Sequence, residues 1–264
     1  MARKKTTVIS VANQKGGTAK TTTCENLGIG LARKGKKVLL IDVDGQADLT
    51  KCLGVKDPEK LNYTLTDALQ AIVNEENPDP EAGIMHHDEG VDFIPGKSTL
   101  AVLDKELGNI PGGDTVLKDY VDMLRGNYEY ILIDSKPAMV TLSVNVMAAA
   151  DSVLIPVVTE YLPITDIEAT ILSIRLVQRR INRKLKIEGI LLTKVKSRTI
   201  LAREAEEAVR EAYEKNIKVF DAKIPLSTKV AEAPALGISI YRYDPHGKAS
   251  EAYESLTREV LANE

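Results

Sequence analysis

The chain has 264 residues, of which 44% are hydrophobic and 28% are charged, and its net charge is −3. This length can bury the core of one large α/β domain, and the composition is ordinary for a soluble globular protein. The chain has neither an apolar run near the ~20 residues of a membrane-spanning helix nor a secretory signal, which argues against a membrane or secreted protein. Its two cysteines, Cys24 and Cys52, form no metal-spaced pair, which favours a reduced, cytoplasmic compartment.

Short β-branched runs alternate with helical patterns along the chain. The predicted strands are residues 6–12, 37–43, 91–95, 128–134, 152–158 and 187–193. The predicted helices are residues 20–34, 64–76, 98–107, 115–125, 141–149, 165–182, 200–214 and 248–262. Several strands are apolar throughout, as in a sheet covered on both faces. The alternation predicts one domain, 1–264, with a doubly wound, mostly parallel sheet and helices on both faces, and residues 77–90 as a surface connection.

The first predicted strand runs into KGGTAKTTT, residues 15–23, and then into a helix. A glycine turn before a helix N-terminus points backbone N–H groups at one spot, which favours a phosphate. In this pattern Lys20 reaches the β- and γ-phosphates of a nucleotide, and the Thr21 hydroxyl ligates Mg²⁺. A purely structural turn is the alternative, and the flanking strand and helix favour the nucleotide site.

Two further predicted strands end in carboxylates. YILID ends in Asp134, and LLIDVD contains Asp42 and Asp44. Ligands bind at the carboxyl ends of parallel strands, and Mg²⁺ prefers oxygen ligands. We therefore expect Asp134 near the metal, with a helix cap as the alternative role. Of Asp42 and Asp44, one is expected beside the metal, while the other aims a water molecule.

Lys15 is one lysine more than a phosphate loop needs. It precedes the glycines, on the rim of the loop, where its side chain cannot easily fold back onto the phosphates that Lys20 contacts. A cation there could reach a phosphate across a dimer interface, as an arginine finger does in trans. The alternative is a solvated lysine.

Positive charge concentrates between Arg175 and Arg203. That span holds ten basic side chains and one acid, Glu188. A solvated helix face is the usual reason for a charge run, but such an excess in an acidic chain favours contact with a polyanion. Without aromatic residues among the charges, the pattern predicts phosphate contact with DNA and no sequence preference.

Five segments resemble, in order and spacing, the ParA/Soj partition ATPases, which form the deviant-Walker class together with MinD and the nitrogenase iron protein. They are KGGTAKTTT, LLIDVDGQADLT, ILIDSKPAM, LLTKVKSRT and the run from Ile224 to Tyr253. The resemblance covers nearly the whole chain. It implies an ATPase that uses ATP and Mg²⁺, forms a homodimer around ATP, binds DNA nonspecifically and releases it on hydrolysis. It also implies a ParB-like centromere-binding partner and association with the nucleoid.

The resemblance also assigns roles to residues. Lys15 contacts the nucleotide of the partner subunit, Lys20 is the loop lysine, and Asp44 positions the attacking water. Thr21 is the magnesium ligand, and Asp42 and Asp134 surround the metal. The remaining phosphate-loop residues are Gly16, Gly17, Thr18, Ala19 and Thr22, and the adenine contacts fall on Pro225 and Ser227.

Several positions depart from the family pattern. Ala19 replaces a glycine, Gly45 a proline, Ala47-Asp48 a Gly-Asn pair, and Lys136 a proline beside Asp134. If residue 19 has a positive φ, its Cβ costs about 1 kcal/mol, which weakens nucleotide binding by about tenfold at most. We expect a competent but slow ATPase.

The resemblance places DNA contacts at Arg198 and Lys229. Leu226 replaces a usual arginine, which shifts the expected DNA surface toward residues 175–186. The residues expected to bind DNA are therefore Arg179, Arg180, Arg183, Lys184, Arg198 and Lys229.

Three other functions are open alternatives. A MinD-like positioning ATPase needs a basic amphipathic C-terminal helix, whereas Ala252, Leu256 and Val260 form a core-facing stripe here. A redox protein needs cluster cysteines, and Cys24 and Cys52 are not placed for that. The third is a nucleotide-switched, DNA-associated regulator. The first strand begins by residue 7, so we expect no helix-turn-helix extension and no direct repression of its own operon.

Overall fold

A single mostly parallel sheet organises the protein. The computed structural model describes residues 5–136, 140–159, 163–196 and 199–263. Within them the sheet has eight strands in the order β3-β4-β2-β5-β1-β6-β7-β8. The strands are β1 (Thr7–Val11), β2 (Val38–Asp42), β3 (Met85–His87), β4 (Val91–Ile94), β5 (Tyr130–Asp134), β6 (Ser152–Val158), β7 (Lys186–Val195) and β8 (Val219–Pro225).

Helices connect the strands and cover both faces of the sheet. In the described residues they are α1 (Lys20–Arg33), α2 (Asp48–Cys52), α3 (Leu65–Val73), α4 (Leu100–Leu107), α5 (Val116–Leu124), α6 (Thr141–Ala149), α7 (Pro163–Arg180), α8 (Ile200–Tyr213), α9 (Thr228–Glu232), α10 (Ile240–Tyr243) and α11 (Lys248–Leu261). Short 3-10 turns lie at Pro58–Lys60 and Ala233–Leu236. No described helix is both long and apolar enough to cross a bilayer.

The strand register brings the acidic strand ends together. The central strand β1 pairs in parallel with β5 and β6, and Val11 lies opposite Asp134. On its other side β5 pairs in parallel with β2, so that Asp42 lies opposite Asp134. Only β3 runs antiparallel among the described strands. The predicted doubly wound, mostly parallel fold is therefore confirmed.

Two apolar cores lie on the two faces of the sheet. One contains buried side chains of α3 to α8, including Leu117, Tyr120 and Ile174. The other contains those of α1, α2, α10 and α11, including Leu27 and Tyr253. Helix α11 lies in this second core with Leu256 and Val260 buried, as the apolar stripe of the sequence predicts.

Helix α1 lies unusually close to the sheet. A Cβ built on Gly28 would lie 2.5 Å from Leu40 Cδ2, and one on Gly30 would lie 2.3 Å from Thr257 Oγ1 on α11. Because the glycines have no side chain, the helix is clamped between β2 and α11. This fixes the direction in which its N-terminus points, toward the ends of β2 and β5.

The sequence predicts six of the eight strands and misses two. All six predicted strands are present, but β8 is absent from the prediction and β3 lies inside the predicted surface connection 77–90. The predicted surface connection 77–90 therefore also contains a short edge strand that the prediction missed. With only three residues, Met85–His87, strand β3 is too short to give an alternating pattern that a sequence could show.

Candidate functional site

A cavity of about 540 Å³ opens at the carboxyl ends of the parallel strands, beside the N-terminus of α1. This is the edge of a doubly wound sheet where ligands bind. The predicted residues that line it are Gly17, Thr18, Ala19, Lys20, Thr21, Thr22, Asp44, Pro225 and Ser227. The residues that the prediction missed are Gln46, Asp48, Ser135, Lys194, Ile224, Leu226, Val230, Ala231 and Tyr253. Lys15 and Gly16 are not among the lining residues.

The phosphate loop takes a left-handed conformation at two positions. Gly17 has φ +73°, and Ala19, the residue before α1, has φ +67°. Residue 19 therefore has the positive φ at which the sequence predicts a cost for its Cβ. A Cβ in this region costs about 1 kcal/mol, so the loop carries strain at the residue preceding Lys20. Ala47, between two cavity residues, repeats the pattern with φ +54°.

Lys20 is buried at the start of α1, with 6% of its surface exposed. Its Nζ donates a hydrogen bond to the carbonyl oxygen of Lys15 at 3.1 Å, across the loop. Burial lowers the pKa of the Lys20 ammonium, although the carboxylates of Asp134 and Asp44 act in the opposite direction. A desolvated ammonium with one neutral acceptor is well suited to receive a phosphate oxygen.

Thr21 and Asp134 are joined directly. The Thr21 hydroxyl donates to Asp134 Oδ2 at 2.7 Å, so its oxygen lone pairs stay available to a cation. The other carboxylate oxygen of Asp134, Oδ1, is buried and has no hydrogen-bond partner among the described residues. Burial raises the pKa of Asp134 well above its usual range, and the nearby Asp42 carboxylate raises it further. An unpaired buried oxygen beside a hydroxyl fits a bound Mg²⁺, reached directly or through water.

The two acids after β2 have different surroundings. Asp42 is fully buried and accepts hydrogen bonds from the Thr50 hydroxyl and N–H at 2.6 and 2.8 Å and from the Asp44 N–H at 3.1 Å. Burial raises the pKa of Asp42 to about 6. Asp44 is half-buried, lines the cavity, and accepts from the Gln46 N–H at 3.0 Å. Asp42 therefore anchors the loop, and Asp44 is the acid that faces the cavity.

The metal-binding prediction rests on few protein ligands. Within the described residues, no group of three or more His, Cys, Asp or Glu side chains could hold a metal ion. Mg²⁺ does not need one, since it keeps several waters and takes one or two protein oxygens together with substrate phosphates. The donors that fit it are the Thr21 hydroxyl and the Asp134 carboxylate.

Lys15 points away from the cavity. Its Nζ lies 2.7 Å from Asp166 Oδ2 on α7, and nearly half of the lysine side chain is exposed. Its N–H donates to Asn13 Oδ1 at 2.9 Å, which fixes the backbone at the start of the loop. Lys15 therefore does not fold back onto the phosphate site of its own chain, as its position before the glycines predicts.

Lys136 has a partner in the structure. Its Nζ lies 3.6 Å from Asp104 Oδ2 on α4, and that carboxylate is nearly buried. The other oxygen of Asp104 accepts from the N–H of Leu142 at the start of α6. The lysine that replaces a proline thus neutralises a buried acid that holds α6, rather than the carboxylate of Asp134.

Strand β8 forms the wall of the cavity opposite α1. It ends at Pro225, which lies opposite Val195 of β7, and Ser227 follows at the N-terminus of α9. Pro225 and Ser227, the predicted adenine contacts, therefore line the same cavity as Lys20, the predicted phosphate contact.

The fold divides the basic span into two groups. Arg179, Arg183 and Lys186 lie at the amino end of β7, whereas Lys194 and Lys196 lie at or just beyond its carboxyl end. Ten strand residues span about 30 Å, so the two groups lie at opposite edges of the sheet. The basic span therefore does not form one continuous surface.

The exposed cations of the amino edge and the predicted DNA contact Lys229, which follows β8 at the other edge, have different partners. The cations at the amino edge are exposed and have no ion pair with a described residue: Arg175, Arg179, Arg180, Arg183, Lys184 and Lys186. At the other edge Lys229 pairs with Asp244 at 3.0 Å. The predicted DNA contact at Arg198 lies outside the described residues.

Residues 6–187 match the AAA domain family. The sporulation initiation inhibitor protein Soj of Bacillus subtilis is 37% identical, and the alignment covers 97% of this chain and 98% of Soj. The chromosome partitioning protein ParA of Caulobacter vibrioides is 36% identical over 97% of this chain and 94% of its own.

Among solved structures, the chain is similar to cobyrinic acid a,c-diamide synthase from Mycobacterium smegmatis, which was solved with bound ADP and magnesium. The TM-score is 0.84 at 31% identity, and the match covers 98% of this chain and 95% of that one.

Proposed function

The chain belongs to the Soj/ParA family of chromosome-partitioning P-loop ATPases, and from that premise we propose that it closes as a dimer on ATP, holds DNA nonspecifically in that state, and releases it on hydrolysis. The observation that carries this proposal is the cavity at the carboxyl edge of the sheet, where Lys20, Thr21 and Asp44 converge beside a helix N-terminus. The other predicted nucleotide contacts, Pro225 and Ser227, line the same cavity.

Nucleotide binding would use the loop and its helix. The N–H groups of residues 16–22 and the start of α1 receive the phosphates, and the buried Lys20 ammonium exchanges the Lys15 carbonyl for a phosphate oxygen. The related synthase binds ADP and magnesium, and the unpaired Asp134 oxygen beside Thr21 supports a magnesium site here. Bound magnesium would offset the charge of the β- and γ-phosphates.

Asp44 is the residue we assign to the attacking water. It faces the cavity, and the carboxylate of Asp42 holds its backbone by accepting the Asp44 N–H at 3.1 Å. Positioning of this kind supplies most of the protein's contribution to phosphoryl transfer, together with cations that stabilise the developing charge. Those cations are Lys20 from the same chain and Lys15 from the partner.

Lys15 couples binding to assembly in this proposal. In the single chain its ammonium is held by Asp166, away from the cavity. It would leave this carboxylate for a phosphate of the partner subunit's nucleotide when two chains meet. A lone subunit lacks this cation at its own phosphates, so we expect it to hydrolyse ATP slowly.

DNA would be bound through its phosphates by the six exposed cations at the amino edge, Arg175 to Lys186. None of the six is neutralised by an acid among the described residues. Unpaired surface cations in an otherwise acidic protein favour a polyanion, and phosphate contacts carry no sequence information. Lys229 and Arg198 would add contacts at the opposite edge.

The test is ATP hydrolysis by the purified chain alone, with duplex DNA of random sequence, and with DNA and a ParB-like protein of the same replicon. Alone, we expect turnover well below about 1 s⁻¹, the low end of ordinary enzymes, and clear stimulation by the partner. Many turnovers per second without a partner would contradict the proposal. Slow turnover that the partner does not stimulate would favour a nucleotide-switched, DNA-associated regulator instead.

A further inference from the structure

Lys194 is a cation of the cavity that the phosphate-loop pattern does not include. It lies at the end of β7, and its Nζ is 4.0 Å from the position that a Cβ on Gly17 would occupy. Gly17 belongs to the part of the loop whose N–H groups cradle the α- and β-phosphates in this pattern. The fold therefore places a second ammonium, 177 positions along the chain, against the backbone of the phosphate loop.

The backbone conformation at Lys194 directs its side chain toward the phosphate loop. Its φ is +51°, the left-handed region that a residue with a Cβ rarely adopts. The register between β7 and β8 shifts between Leu192 and Val195, as at a β-bulge, and bulges redirect a side chain next to a site. The neighbouring Thr193 hydroxyl donates to the carbonyl oxygens of Thr18 and Val157 at 3.1 and 3.2 Å, which locks the strand end to the loop.

The charge of Lys194 has no counterpart in the described protein. The lysine is half-buried, and its ammonium forms no ion pair or hydrogen bond with a described residue. Among the described residues, the charged side chains that line the cavity are Lys20, Lys194, Asp44 and Asp48. Without Lys194 a single cation would face two carboxylates in a space that is to receive a polyphosphate, because Lys15 is held by Asp166.

We propose that Lys194 is a nucleotide-binding residue whose ammonium contacts the α- and β-phosphates of the bound nucleotide. The inference rests on the proposed ATP site and adds a ligand to it. A half-buried point charge beside a cradle of N–H groups recognises a phosphate oxygen, and both ADP and ATP present the α- and β-phosphates. Lys194 thus strengthens binding of both ADP and ATP, whereas a residue that contacts the γ-phosphate would strengthen binding of ATP alone.

The test is the Kd of the full chain for ADP and for a non-hydrolysable ATP analogue, each with Mg²⁺, measured by calorimetry. The Lys194→Met variant keeps the length of the side chain and the left-handed Cβ but removes the charge. A lost charge-assisted hydrogen bond of this kind corresponds to about tenfold or more, so we expect both Kd values to rise by about that factor. Lys194→Arg should recover most of the affinity, and the loss should shrink as salt is raised.

The matched control is Lys196→Met, two residues further along and exposed outside the cavity, which should bind both nucleotides like the wild type. If Lys194→Met also binds like the wild type, or loses affinity for the ATP analogue alone, the inference is overturned. A wild-type chain that binds neither nucleotide would instead overturn the proposed ATP site itself.

Discussion

The phosphate loop and the basic span, residues 15–22 and 175–203, are both conspicuous in the sequence, and the fold treats them in opposite ways. Six consecutive loop residues, Gly17 to Thr22, converge on one cavity. The basic span is divided by the ten residues of β7, with exposed unpaired cations at one edge of the sheet and Lys194 in the nucleotide cavity at the other. Residues that are adjacent in the chain stay close together in the fold, whereas charges counted over 29 residues can end at opposite edges of the sheet.

The largest effect is expected from removing the central cation of the loop. Lys20→Gln should lower ATP hydrolysis by about 10²–10³-fold, the usual effect of losing one positioned group that stabilises transition-state charge. Steady-state hydrolysis with partner and DNA measures it. Lys34→Gln, just past the other end of α1, is the control and should leave the rate unchanged. A Lys20→Gln rate within threefold of the wild type would show that the loop is not the catalytic site.

The helix behind the loop gives a test through pH. Glu25 on α1 is buried, its Oε1 has no hydrogen-bond partner among the described residues, and burial raises its pKa well above the usual range. The folded state therefore keeps a proton that the unfolded state releases above about pH 4.3. The free energy of unfolding should fall with rising pH from there up to the folded pKa, by about 1.4 kcal/mol per pH unit for this group.

Glu25→Gln cannot ionise and should lack this contribution. Urea unfolding at pH 4, 6 and 8 should show the variant gaining on the wild type as the pH rises, with little difference between them at pH 4. Parallel pH profiles for the two proteins would contradict the assignment of a protonated carboxyl at the base of the loop.

The divided basic span is tested by reversing charges at its amino edge. The triple variant Arg179→Glu, Arg180→Glu and Arg183→Glu should weaken retention on random-sequence DNA by about tenfold or more. It should also lower the salt slope by about 0.9 per lost phosphate contact. Nucleotide affinity should not change, because these residues lie about 30 Å from the cavity along β7.

The control carries the same change of charge on exposed lysines elsewhere: Lys56→Glu, Lys105→Glu and Lys248→Glu. If both triple variants lose DNA binding equally, only net charge matters. If Lys229→Glu alone abolishes binding while the Arg179 triple variant does not, the DNA surface is at the carboxyl edge.

The smallest expected effect concerns the backbone strain at Ala19. Ala19→Gly should raise the free energy of unfolding by about 1 kcal/mol, because glycine adopts the left-handed conformation of residue 19 without steric cost. Ala32→Gly in the last turn of α1, where φ is negative, should instead lower it, by up to about 1 kcal/mol from helix propensity together with the lost methyl contact. Denaturant unfolding measures both, and changes of the same sign would contradict the assigned strain.

The central sheet and the loop could be predicted because their signals are local. Strands β1 and β6 are rich in β-branched and apolar residues, and strands β2 and β5 are apolar runs that end directly in Asp42 and Asp134. Strand β8 was missed since it lies at the edge of the sheet, where Asp221 and Lys223 interrupt the apolar pattern with exposed charges.

Contacts made by distant residues could not be predicted. Asp166 is 151 positions from Lys15, and Lys194 lies still further from Gly17. From the sequence alone Lys194 is one charge among ten in the basic span. Folding places its Nζ 4.0 Å from the position of a Cβ on Gly17, at a left-handed residue that the sequence does not mark.

The association state with and without ATP should depend on Lys15, because this residue is proposed to join the nucleotide of one subunit to the other. Light scattering after size exclusion should give a monomer for every variant without nucleotide. With ATP and Mg²⁺, wild type and Asp44→Ala should become dimers, Asp44→Ala the more persistent, and Lys15→Gln should stay monomeric while still binding ATP. A Lys15→Gln variant that dimerises on ATP as the wild type does would contradict the account.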